Sequence, residues 1–327
     1  MGYLIAIAIY LVALMVYGLV IAHRKVKTAD DMVTGGHRIP FIILVGSLLA
    51  TWCGGGGITG SAGVVYSGGP WVGAITFAAP PIGIILLYFI AGKVRKSNKV
   101  TVPEIMEARY GKAASIISAL CVMLAYVGVL ATQLKAAADI LVLLCSSSGV
   151  TMSHGMALTI CAVIIAIITV GGGLVSVAYS DAVSALIMIG GFFLAIPFLM
   201  SVAASQGAVL PPEKTTLTGG MSGVELLGYF LPSLALMLGD QNMLQRFASA
   251  KNSDEAKKSN IGMFIGEILV IIAIIAVVTQ AAKLYPSLDT PSNVIFQVAV
   301  DYLPLVFGLH RHHGGQLSAL LRHQPHQ

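Results

Sequence analysis

The reading turns on Ala50-Thr51-Trp52-Cys53-Gly54-Gly55-Gly56-Gly57-Ile58-Thr59-Gly60, which lies in the middle of an apolar segment running from about 41 to 66. That segment is long enough to cross a bilayer. Each glycine inside a helix costs roughly 1 kcal/mol relative to alanine, so four in a row weaken the winding where they stand. In hydrocarbon, opened backbone survives only where protein or a water-filled cavity satisfies its polar groups. An interrupted membrane helix near the midplane is the sequence feature that points best to a transporter's ion and solute site. Close helix packing is the alternative, since small residues also mark places where membrane helices touch.

Composition agrees with a membrane setting. Of 327 residues, 57% are hydrophobic and only 10% are charged, against about 25% charged in a soluble domain. The net charge of +5 is therefore no sign of a nucleic-acid partner and has to be read by position relative to a bilayer. Eight apolar segments are long enough to span, at about 3–22, 41–66, 71–92, 116–144, 156–171, 175–200, 225–245 and 261–282. Fourteen Lys and Arg residues fall on the connections after the first, third and seventh spans, whereas the opposite side holds Lys214 and Lys283. The positive-inside rule then places the N-terminus outside. The charges near the start follow the first apolar run, at His23-Arg24-Lys25, which reads as an uncleaved span. The fourth segment would reach about 43 Å as a helix and has to tilt or protrude. Residues 102–110 read as a short cytoplasmic interfacial helix with proline near its start, and 201–224 as an ordinary exterior loop.

Charged groups inside spans are functional candidates by default. Lys135 and Asp139 are spaced to pair on one helix face, and Gln133 beside them could line a polar path. Asp181, flanked by Ser180 and Ser184, offers hard oxygen ligands for a small cation; a helix N-terminal acid favoured by the macrodipole is the alternative. Asp240 and Gln241 lie deep in a span punctuated by Pro232 and Gly239, so a second interrupted helix is expected there, with Arg246 reaching for the interface. Glu267 stands within the last span with no partner visible in the sequence. Cys53, Cys121, Cys145 and Cys161 have no metal-ligand spacing and read as small buried residues. No nucleophile–base constellation or phosphate loop points to an enzyme, and no cofactor is called for beyond a coupling ion. From Gly308 the chain changes character and carries His310, His312, His313, His323 and His326. An out-of-frame continuation is expected there, with a weak metal-binding or disordered tail as alternatives.

Several of these stretches resemble the sodium:solute symporter family. They are Lys27-Thr28-Ala29-Asp30-Asp31 through Gly35-Gly36-His37-Arg38-Ile39-Pro40, Gly60-Ser61-Ala62-Gly63, Thr101-Val102-Pro103-Glu104, Gly172-Gly173-Leu174 through Tyr179-Ser180-Asp181, and Asp240-Gln241 through Gln245-Arg246. Together they cover about 1–307 in order, and the residues around Trp52 look most like the choline-carrier branch. The resemblance implies an all-α polytopic membrane protein, with about eight transmembrane helices of an incomplete five-plus-five inverted-repeat (LeuT-type) core. It implies sodium-coupled symport of a small organic solute across the plasma membrane. It implies a sodium site at Ala50 and Cys53, with Ser180 and Asp181 linked to it, and solute contacts at Trp52, Gly57, Leu236, Met237 and Gln241. Ser184 departs from the family's usual glutamine. With Trp52 in a cavity, a quaternary ammonium solute would be held by cation–π attraction. The family completes its sodium site with hydroxyls from a span expected after Pro304. The 327 residues alone are therefore expected to show little sodium-driven uptake, and a non-transporting membrane component is the alternative function.

Overall fold

A computed structural model describes residues 2–302, and the tail expected from Gly308 onward lies outside them. The described residues are helical nearly throughout. In order they form α1 (Gly2–Lys25), α2 (Ala29–Thr34), α3 (Phe41–Trp52), α4 (Gly55–Gly68), α5 (Pro70–Thr76), α6 (Ala79–Ser97), α7 (Val102–Tyr110), α8 (Lys112–Ser147), α9 (His154–Ser205), α10 (Gly223–Gly239), α11 (Gln241–Ser249), α12 (Ser253–Leu284) and α13 (Val294–Tyr302). Among the described residues, six stretches are long and apolar enough to cross a membrane, and the bent pair α3–α4 makes a seventh. The span expected at 156–171 is a shorter apolar helix, His154–Ala166.

No loop separates that helix from the next. α9 is two helical stretches joined at a kink, and the turn between the two expected spans is made at Gly173, whose φ of 58° and ψ of −176° lie outside the helical region. Glycine is required there twice over. Its φ is one that side chains rarely adopt, and a Cβ would stand 3.1 Å from the Met32 Cα of α2.

Packing among lipid-facing helices gains little from the hydrophobic effect and depends instead on close contact through small residues. The helices around α3 show this. A Cβ on Gly46 would lie 2.7 Å from Ala182 of α9, one on Gly262 2.6 Å from Val45, and one on Gly266 2.4 Å from Leu49. One buried cluster joins α3, α6, α11 and α12 through Leu44, Leu48, Leu87, Phe247 and Met263. A second joins α4, α9 and α12 through Val65, Leu199, Ile274 and Val278. The loop after α9 is not an ordinary exterior loop. It is seated on the α4–α5 junction, where Lys214 is buried with its ammonium 4.1 Å from the centre of the Tyr66 ring. Gly69 there, at φ 90°, would place a Cβ 2.0 Å from the Lys214 carbonyl oxygen.

Candidate ion and solute site between two broken helices

The glycine run does break its helix. α3 stops at Trp52, Cys53 leaves the helical region at φ −80° and ψ 34°, and Gly54 is extended at φ −64° and ψ 161°. The chain resumes as α4 after a bend of 57°. One freed amide is met by α8, where Gly56 N–H donates to Gln133 Oε1 at 2.7 Å. A Cβ on Gly54 would lie 2.2 Å from Gln133 Nε2, so the missing side chain is what lets this glutamine reach the break.

The second break falls where Pro232 and Gly239 suggested. Asp240 is extended at φ −69° and ψ 113° between α10 and α11. Its carboxylate accepts from the amides of Asn242 at 2.7 Å and Met243 at 3.3 Å and from the Tyr126 hydroxyl at 2.8 Å. The break is thus an N-cap that a side chain of α8 also holds.

Between the two breaks lies a cavity of about 590 Å³. Trp52, Cys53 and Gly57 from the first break and Leu236 from the second line it. Gln133 lines it too, in keeping with a polar path. The other expected site residues stand elsewhere. Ala50 packs against the core around α3. Met237 is fully buried and abuts Gly83. Gln241 is turned toward α7, accepting from the Val102 amide at 2.7 Å and donating to the Val100 carbonyl at 3.2 Å. Ser180 lies against α1 near Gly18.

Asp181 belongs to a separate cluster. Its Oδ2 accepts from Arg246 Nη2 at 2.8 Å and from Ser47 Oγ at 3.0 Å, while Arg246 Nε donates to the same hydroxyl at 2.7 Å. Arg246 is only 6% exposed. It therefore does not reach for the membrane surface as its position suggested, because Asp181 and Ser47 satisfy it inside. At another corner Ser184 meets the Tyr10 hydroxyl at 3.0 Å. Lys135 and Asp139 pair at 3.0 Å as their spacing predicted, and His154 joins them at 2.8 Å from Asp139.

One lining residue escaped sequence reasoning, and a second was seen there without its neighbours. Tyr126 is one tyrosine in a long apolar run, with nothing to mark its register. Glu267, visible as an acid inside a span, gains here the partners that the sequence withheld. The Cys53 thiol donates to its Oε2 at 4.0 Å, and the Trp52 side chain stands beside it. The cysteines also differ from expectation. Cys145 is buried, but Cys53 and Cys121 line the cavity, and Cys121 is exposed.

Comparison with known proteins agrees with this architecture. The sodium:solute symporter family model matches residues 32–299. The chain is 27% identical to the human high affinity choline transporter 1 over 274 residues, which is 78% of this chain and 46% of that protein. It is 26% identical to the sodium/sialic acid symporter NanT of Aliivibrio fischeri, over 79% of this chain and 52% of that one. The chain thus spans about half the length of the curated relatives it matches. Among solved structures, the substrate-bound outward-open state of a Na+-coupled sialic acid symporter superposes with a TM-score of 0.74 at 18% identity, covering 93% of this chain and 66% of that chain. With the fold and the family model in agreement over most of its length, this multi-pass membrane protein belongs to the sodium:solute symporter family.

Proposed function

We propose that the chain carries the sodium and solute site of a sodium-coupled symporter for a small organic solute. The observation that carries this reading is the pair of helix breaks flanking one cavity. A break exposes carbonyl oxygens at the end of α3, and oxygen ligands of this kind suit a small hard cation. Ala50 and Cys53, three residues apart on one face, are the proposed sodium ligands. Trp52, Gly57 and Leu236 are the proposed solute contacts. Asp181 acts through the Arg246–Ser47 cluster, one turn of α3 away from Ala50, and ties sodium binding to the position of α11. Met237 and Gln241 act as supports of the second break. The membrane is the plasma membrane, with the N-terminus outside, in keeping with the distribution of Lys and Arg.

Uptake into proteoliposomes tests the proposal. With the chain extended by the span expected after Pro304, an inward sodium gradient should drive accumulation of a labelled solute above its equilibrium level, an equal potassium gradient should not, and the 327 residues alone should show little of either. Equal uptake under both gradients would favour a non-transporting membrane component. The same preparation gives a second readout at the break. Sodium and solute together should slow alkylation of Cys53 about tenfold, measured by mass spectrometry. Unchanged labelling would remove Cys53 from the site.

A further inference from the structure

We propose that the Glu267 carboxylate is the counter-charge for an organic cation held in the cavity, so that the site selects solutes by positive charge. This inference rests on the reading of the cavity as a solute site.

The charge census of the cavity wall is one-sided. Two carboxylates, Glu267 and Asp240, line it, and no Lys, Arg or His does so among the described residues. The two acids are not equivalent. Asp240 already serves as the cap of α11 and accepts the Tyr126 hydroxyl, so its charge is met by peptide dipoles. Glu267 stands midway along α12 and is 1% exposed. Its contacts are the Trp52 side chain and the Cys53 thiol, and no ion pair among the described residues includes it. A charged acid at that depth is costly, so it either stays neutral or has a positive charge beside it.

Geometry brings the acid to the solute position. Because Gly266 has no side chain, α12 closes on Leu49 of α3, and that approach delivers the next residue to the helix break. The Trp52 side chain both contacts Glu267 and lines the cavity. A cation seated there meets a carboxylate and an aromatic face at once. The cavity is far larger than a bare ion requires, which favours an organic cation as the partner of this acid.

Equilibrium binding to the purified full chain in nanodiscs, at fixed sodium, tests the assignment with labelled choline and its uncharged carbon isostere dimethylbutanol as probes. Choline should bind about 30-fold or more tightly than the isostere, the scale expected when one partner of a buried charge pair is missing. Glu267→Gln should abolish that preference, and Glu267→Asp, which keeps the charge, should retain most of it. Size-exclusion profiles confirm that the variants remain folded. Equal binding of both probes by the parent chain, or a preference that survives Glu267→Gln, would overturn the proposal. So would a Glu267→Gln chain that loses stabilisation by sodium while still preferring choline, since the acid would then serve the metal ion. Sodium-driven uptake of another solute with no binding of either probe would sink charge selection and leave the transport reading standing.

Discussion

At the residue scale, missing side chains decide most of this structure. Gly46 is the clearest case, because the atoms that a Cβ would meet, 2.7 Å away, include the Ala182 backbone. Backbone cannot rotate aside, so Gly46→Ala should separate α3 from α9. A loss of about 1–3 kcal/mol is expected, read as a lower melting temperature of the detergent-solubilised chain; an unchanged melting curve would show that α9 yields freely. Gln133 makes the opposite point. It supplies an acceptor to an amide that the break would otherwise strand, so Gln133→Ala should cost about 1–3 kcal/mol and speed hydrogen exchange at Gly56. Exchange at Gly56 no faster than in the parent would mean that another group satisfies that amide.

Among the elements, the two breaks were legible to different degrees. Four consecutive glycines announced the first, since no other run in the chain so weakens its own winding. The second was announced only by Pro232 and Gly239. Its actual hinge, Asp240, was visible as a polar residue at depth, but its capping of α11 depends on a backbone turn that sequence does not display. Asp240→Ala should remove both the cap and the Tyr126 contact and cost roughly 0.5–2 kcal/mol from the cap alone. Faster exchange confined to the first turn of α11 is the expected signature, and uniform exchange would argue against a capping role. The kink inside α9 was legible only as a boundary between the spans expected at 156–171 and 175–200; that Gly173 makes the turn was not.

On the scale of the whole molecule, sequence order conveyed the family and the fold, while the partnerships across it stayed hidden. Glu267 and Trp52 are more than two hundred residues apart, and no periodicity within either helix encodes their meeting. The same holds for Arg246, Asp181 and Ser47, which fasten α11, α9 and α3 together. Removing one partner of a buried pair leaves the other charge stranded, at a cost of roughly 3–5 kcal/mol. Arg246→Gln should therefore destabilise the chain strongly, and Arg246→Gln combined with Asp181→Asn should recover much of the loss. Additive effects in that double-mutant cycle would show that the pair does not couple the three helices.

The way the two breaks are stoppered has an electrical consequence. A helix start presents partial positive charge and a helix end partial negative charge. Here the start of α4 is covered by the Gln133 oxygen and that of α11 by the Asp240 carboxylate, whereas α3 and α10 finish with their carbonyl ends at the chamber wall. The uncompensated poles facing the interior thus share one sign. A cation entering the chamber is drawn toward these carbonyl ends, while an anion finds the amides of Gly56, Asn242 and Met243 already engaged.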